Sequence, residues 1–545
     1  MRDYEYHLVE EVRAGRLTRR ELVRRATVVG LSFPTIGALL AACGGGGGGG
    51  DTGAAPAQTG NVRRGGVLRL AVTEPGAEVD PITMFDSGGV ATAQIAGEYL
   101  AVPDKDNNLV PILATEWTPG ESPDEWTFTI REGVKWQDGS PLTADDVVAT
   151  FDRITDPKGQ ASALSAYTGV LTKGNIEKSG DLEVKFHLER PYADFPYIVS
   201  SYTYGSVILP KNYEIGQYIE GGVGTGPYVI RDANRQRVIA EKNPNYWQQG
   251  KPYMDRVELK FFADVPPQVL AMQADEADIM VETPFQGAQA LFNDPNIKME
   301  EFASSAYREV HMRVDKDPWT AKQVRQALAW SIDRQGLVQT LWEGKALVAN
   351  DHGFAPHFNV TVDEGEIEQR EQDHEKAKQL LADAGHGDGV TVQMTAPNFL
   401  EIQQYATFIK EQARPAGINI DLRIVDLNAY YGSGDNQPWL EVPFGIVDWA
   451  ARGVPSQLIV PAYTSNGVWN SAHWKNEEFD RAIADFDAEI DEGRRKELAL
   501  EAARIQHDEV PAVIAYWIIQ VRAVKQNIVG IPGQFLDLAN VAFTE

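Results

Sequence analysis

The stretch Trp126-Thr127-Phe128-Thr129-Ile130-Arg131-Glu132-Gly133-Val134-Lys135-Trp136-Gln137-Asp138-Gly139-Ser140-Pro141-Leu142-Thr143-Ala144-Asp145-Asp146-Val147-Val148 decides how the rest of the chain is read. In its first part Trp126, Phe128 and Ile130 alternate with Thr127, Thr129 and Arg131, the period of a half-buried strand. Asp138-Gly139 marks a turn. Thr143 then opens a helix: its side chain can cap the exposed amides, and Asp146, three residues on, completes an acidic form of the capping box.

Working outward, Val67 to Val72 reads as a strand buried on both faces except at Arg69. Tyr228 to Arg231 and Val238 to Lys242 suggest a hairpin, and Val257, Leu259 and Phe261 a further strand. Beyond residue 305 helical spacing appears: Val324, Ala327, Leu328 and Ser331 share one face, as do Ala377, Leu380, Leu381 and Ala384 between a capping Asp373 and a terminating Gly385. Ile418, Ile420, Leu422 and Ile424 return to strict alternation. Helices and strands interleave throughout, which is an α/β architecture. With 545 residues, 43% of them hydrophobic, the chain can build two or more lobes.

The net charge is −28, a surface that repels phosphate backbones, so nucleic acid is not an expected partner. Cys43 is the only cysteine, which excludes an intramolecular disulfide and any cysteine-based metal cluster. Ahead of it, a basic segment through Arg19, Arg20, Arg24 and Arg25 leads into a mostly apolar stretch from Ala26 to Ala42 that ends in small residues. That is the order of a signal peptide, and the stretch is short for a membrane span. Gly44 to Gly50 and the polar run to Gly60 read as a flexible tether.

The chemistry of an exported hydrolase, the main rival class, is not legible. His374-Glu375 has no second His at metalloprotease spacing, and Gly344-Lys345 is followed by Ala346 where a phosphate loop needs Ser or Thr. No Gly-x-Ser-x-Gly elbow occurs, and the nine histidines are scattered. With 78 acidic residues, a carboxylate pair suited to glycoside hydrolysis arises by chance. No enzyme activity, metal or cofactor is expected.

The opening stretch closely resembles the signature of the family-5 solute-binding proteins of ABC importers, whose members bind oligopeptides, dipeptides, nickel chelates and some oligosaccharides. Further matches follow in the family's order: Leu109 to Trp117, Gly224-Thr225-Gly226-Pro227-Tyr228, Asn243-Pro244-Asn245-Tyr246-Trp247, Val324 to Leu328 with Ile332-Asp333-Arg334, and Ala377 to Leu381 with Ala384-Gly385. The resemblance implies a two-lobed α/β periplasmic-binding-protein fold of type II, in its large three-subdomain form, with the ligand cleft between the lobes. On this sequence it places a signal peptide at 1–42, a tether at 43–64, a first lobe at 65–305 with a subdomain near 105–200, a second lobe at 306–515 and a return at 516–545. Crossings near Ala306-Tyr307-Arg308 and near Ile514-Ala515-Tyr516 would be the hinges. Two shorter resemblances concern the N-terminus: Arg19-Arg20 and their flanks resemble a twin-arginine export signal, although the pair also fits a general secretion signal, and Leu40-Ala41-Ala42-Cys43 resembles a lipoprotein box whose Cys43 is acylated. The implied partners are a small solute (oligopeptide, oligosaccharide or anion), ABC permease subunits, and the membrane through the anchor, with the protein monomeric. A surface sensor or chaperone without a transporter is the alternative.

The motifs themselves read mostly as structure. Gly224 and Gly226 permit backbone angles closed to other residues and Pro227 fixes the next one, giving a rigid strand entry, and Tyr246 and Trp247 follow a turn and pack the lobe. In peptide-binding members a tryptophan is followed three positions later by an Asp that pairs with the ligand's amino group. Here Trp449 is followed by Arg452, and the charge is reversed. A guanidinium suits a carboxylate, phosphate or stacked ring and disfavours a free amine, unless Arg452 instead pairs with a neighbour such as Asp448. Other ligand candidates, each of which could equally be core, are Phe85, Asp86, Tyr202, Tyr204, Asn398, Tyr430, Trp469 and Asn470.

Overall fold

A computed structural model describes residues 62–76, 79–221, 223–432, 437–531, 533 and 535–544. Arg19, Arg20, Cys43 and all but the end of the expected tether lie outside the described residues. That end is paired: Val62 and Arg63 form a short antiparallel ladder with Thr544 and Phe543, and the Arg63 guanidinium lies over the Phe543 ring at 4.8 Å. No helix among the described residues is long and apolar enough to cross a membrane.

Two mixed sheets organise the chain. The seven-stranded sheet of the first lobe runs Ile297–Phe302, Gln520–Lys525, Ile279–Met280, Val67–Thr73, Arg256–Phe262, Arg237–Lys242 and Tyr228–Ala233. Val67–Thr73 sits at its centre, flanked by two parallel neighbours, which is why it is apolar on both faces. Arg69 is accommodated by the Asp278 carboxylate at 2.6 Å. The six-stranded sheet of the second lobe runs Ala346–Val348, Ala512–Ile518, Tyr307–Met312, Phe444–Trp449, Val390–Pro397 and Ile418–Val425.

The opening stretch folds as its pattern requires. Glu125–Ile130 is a strand that buries Trp126, Phe128 and Ile130, and Ala144–Ile154 is a helix whose Thr143 amide donates to the Asp146 carboxylate at 2.9 Å. The strand belongs to a separate four-stranded antiparallel sheet, and the helix packs against that sheet around a core of Phe128, Phe151, Phe186 and Phe195. This subdomain also touches the second lobe. Asp194 accepts from Arg495 at 2.8 Å with both side chains buried, and Arg190 pairs with the buried Asp487 at 2.6 Å.

The chain passes between the two main sheets twice. The first passage lies between Phe302 and Tyr307 and the second between Ile518 and Gln520. The second falls beyond the Ile514–Tyr516 segment that the sequence marks, because that strand stays paired with its neighbour through Tyr307↔Trp517. The passages run antiparallel, and their ladder resumes on the other side at Phe302↔Gln520. The lobes are therefore joined by one two-stranded ribbon.

Two sequence motifs converge on a single buried carboxylate, Glu98, just after the helix Ser87–Ala96. It accepts from Thr225 Oγ1 at 2.8 Å, Tyr246 Oη at 2.8 Å and Trp247 Nε1 at 2.9 Å. Burial lifts its pKa to about 7 despite these donors. The Gly226 amide donates to the Ala96 carbonyl at 2.8 Å, and a Cβ on Gly224 would lie 1.7 Å from that same oxygen. The glycines therefore allow a backbone approach that no side chain permits. Gly224→Ala is expected to destabilise the protein by about 3 kcal/mol, the upper range for overpacking against unyielding backbone, as read by urea denaturation.

Candidate functional site

A cavity of about 580 Å³ lies between the two sheets, within the usual range for a small-molecule site. Its floor is the connecting ribbon, through Phe302, Arg308 and Ile518 to Arg522. The first lobe contributes Phe85, Asp86 and Ser87 at the start of the helix Ser87–Ala96, together with Glu282 and Phe285. The second lobe contributes Trp342, Leu400, Glu401 and Ala450.

Each charged group on the wall has a hydrogen-bond or ion-pair partner within the protein. Asp86 caps its helix, accepting from the Gly89 amide at 2.8 Å, and also accepts from the Gly76 amide at 2.9 Å. Glu282 accepts from the Ser87 hydroxyl at 2.5 Å. Arg308 lies 2.8 Å from the buried Glu401 carboxylate and bonds Asp448, while the Tyr516 hydroxyl donates to Glu401 at 3.1 Å. Burial opposes the Arg308 charge, but Asp448 and Glu401 outweigh it and hold the guanidinium above its ordinary value. Arg522 donates to the Val281 carbonyl at 3.1 Å and stacks on Phe302, and burial lowers its pKa to about 10.

Three of the residues singled out in the sequence, Phe85, Asp86 and Tyr204, line this cavity. The others have different surroundings. Tyr202 bonds Asn107 and, at 2.9 Å, His357 Nε2, while Asn107 donates to the Gly453 carbonyl at 3.1 Å, so this cluster ties the first lobe to the second. Asn398 is exposed, with its amide on the Val425 carbonyl at 2.8 Å. Tyr430 is buried against Gly445. Asn470 is a buried staple whose amide group donates to the carbonyls of Trp474 and Thr464 at 2.7 and 3.0 Å. Trp469 packs on Trp449, their ring centres 5.9 Å apart.

Trp449 is itself core. Its indole N–H donates to Glu309 at 2.7 Å, and that buried carboxylate also accepts from Tyr463 at 2.8 Å and Ser471 at 2.9 Å. Arg452 lies off the cavity lining: its guanidinium donates to the Ala451 carbonyl at 3.1 Å, and its amide donates to the Ser305 hydroxyl at 2.6 Å. The pairing with Asp448 considered from sequence is made by Arg308 instead. Sequence reading missed Arg308, Glu401, Leu400 and Glu282. One signal was present, since Tyr307-Arg308-Glu309-Val310-His311-Met312 places an arginine, a glutamate and a histidine in a strand that is buried throughout. Buried charge in a central strand demands partners, and here they bound the cleft.

Residues 108–471 match the bacterial extracellular solute-binding proteins, family 5. The chain belongs to this family. It is 26% identical over 456 residues to the glutathione-binding protein GsiB of Salmonella typhi, covering 81% of this chain and 87% of that protein. Among solved structures, HbpA2 from Haemophilus parasuis superposes with a TM-score of 0.77 at 21% identity over 88% of this chain and 100% of its own. The periplasmic murein tripeptide binding protein MppA, in its unliganded open form, gives 0.76 at 20% identity over 89% of this chain and 99% of its own. This family-5 chain is a solute-binding protein of the ABC-importer type with the two-lobed α/β fold, not an enzyme.

Two outcomes follow from the packing beside the cleft. Burial raises the Glu309 pKa from 4.5 to about 6, so its stabilising contribution is full below pH 4.5 and is lost as pH rises through 6. Glu309→Gln keeps acceptor and donor capacity without titrating, and the wild type is expected to lose about 2 kcal/mol relative to this variant between pH 4.5 and 7. Chemical denaturation across that range measures the difference. Arg452→Ala is expected to lower the melting temperature of the unliganded protein while leaving solute affinity nearly unchanged, measured by calorimetry on both proteins.

Proposed function

We propose that this protein is a monomeric, lipid-anchored receptor held outside the cytoplasm through acylated Cys43 after export directed by Arg19 and Arg20. Its two lobes close about the connecting ribbon on a solute of short-peptide size, which the receptor then hands to ABC permease subunits. The observation that carries this reading is the 580 Å³ cavity walled by both lobes and floored by the ribbon. A solute touching both walls favours the arrangement in which more of those contacts are made, so binding and closure are coupled. The size of the solute follows from the cavity volume and from the similarity to a glutathione-binding protein, glutathione being a tripeptide. Because Arg452 donates to carbonyls of its own loop, the reversed charge at that position does not bar a free amine from the cleft.

Mass spectrometry of solutes released from natively purified protein is expected to identify a molecule of at most a few residues' size. Small-angle scattering is expected to show a smaller radius with that solute than without it. An unchanged radius at calorimetric saturation contradicts closure. In cells, Cys43→Ser is expected to move the protein from the membrane fraction to the soluble one. Replacing Arg19 and Arg20 by lysine is expected to retain the precursor in the cytoplasm, and normal export of that variant removes the twin-arginine route while leaving the anchor intact.

A further inference from the structure

Among the described residues eight large apolar side chains are exposed, and three of them, Phe85 (61%), Tyr204 (38%) and Leu400 (48%), line the cavity between the lobes. They face it from both sides: Phe85 and Tyr204 belong to the first lobe and Leu400 to the second. Convergence of exposed apolar area on a concave site marks contact with something that covers it.

Leu400 carries a second signal. Its backbone is left-handed, at φ +44°, a conformation that costs an L side chain and that glycine adopts freely. The neighbouring residues impose it. Two residues before, the Asn398 amide is fixed to the Val425 carbonyl, and the next residue is Glu401, locked by Arg308 and Tyr516. Leucine is half exposed at this position, so its side chain contributes little to the free protein in return for the strain. Strain kept at the edge of a binding site is a mark of function. Phe85 is presented in a comparable way, beside Asp86 with its carboxylate fixed by two amides.

We infer that the solute carries an apolar group, the size of an aromatic ring or a branched alkyl chain, on which Phe85 and Tyr204 close from one lobe and Leu400 from the other. This rests on the reading of the cavity as the solute site. The deeper wall agrees with it, since Phe285, Phe302, Trp342 and Ile518 add apolar surface.

Matched solutes test this: Ala-Phe-Ala against Ala-Gly-Ala, phenyl glucoside against glucose, and phenylacetate against acetate, each titrated by calorimetry. In any pair that binds, the ring-bearing member is expected to be at least about tenfold tighter, the scale of burying a phenyl group. Phe85→Ala and Leu400→Gly are each expected to remove most of that advantage, weakening the ring-bearing member several-fold more than the ring-free one. Leu400→Gly is also expected not to lower the melting temperature of the unliganded protein, because it relieves the backbone strain. Equal affinity within every binding pair, equal losses for both members in the variants, or recovery of a wholly polar solute from the native protein overturns the inference. If no pair binds and no solute is recovered, the solute-site reading itself fails and takes the inference with it.

Discussion

Everything at the cleft depends on one antiparallel ribbon. Strands Ile297–Phe302 and Gln520–Lys525 pair in the first lobe, Tyr307–Met312 and Ala512–Ile518 pair in the second, and only a few residues on each strand separate the two ladders. A single ribbon of two strands resists twisting and sliding but bends where its ladder is interrupted, so the motion it leaves to the lobes is a hinge. The same interruption places Phe302, Arg308, Ile519 and Gln520 on the cavity floor. On the proposed function, the joint and the solute surface are the same residues, which is the arrangement that lets ligand contact act on lobe position.

Around that joint the protein spends buried charge on position. Arg308 gathers Glu401 and Asp448 from separate strands and loops, and Glu309 on the opposite face gathers Trp449, Tyr463 and Ser471. Breaking such networks leaves uncompensated polar groups, so they fix a unique geometry even where they add little net stability. On the outer flank, the Asp194–Arg495 pair and the Tyr202–Asn107–His357 cluster link the subdomain to the second lobe. These contacts must be included in any account of the energy that separates open from closed arrangements.

The regular elements were legible because their patterns are local. Thr143 and Asp146 cap a helix within one turn, Asp373 caps another, and Ile418 to Ile424 alternate along one strand. The site was legible only in part. Phe85, Asp86 and Tyr204 reach the cavity, whereas Trp449, Tyr430 and Asn470, equally aromatic or polar in sequence, are consumed by the second lobe's core. Residue type does not distinguish these outcomes, since an indole that fills a ligand wall also fills a core.

The sequence by itself determined the α/β class, the family, the strand and cap positions, and the structural character of the Gly224–Tyr228 and Asn243–Trp247 motifs, because periodicity, capping and glycine requirements are written in adjacent residues. Only the tertiary structure decided that both motifs serve Glu98, that Arg308 and not Arg452 meets Asp448, and that Leu400 stands strained at the cavity edge. Those partners lie far apart along the chain, Asp448 140 positions after Arg308 and Thr225 127 positions after Glu98. Which of many possible acids meets a given cation is fixed by the register of strands and the path of loops, quantities that arise only when the sheets assemble.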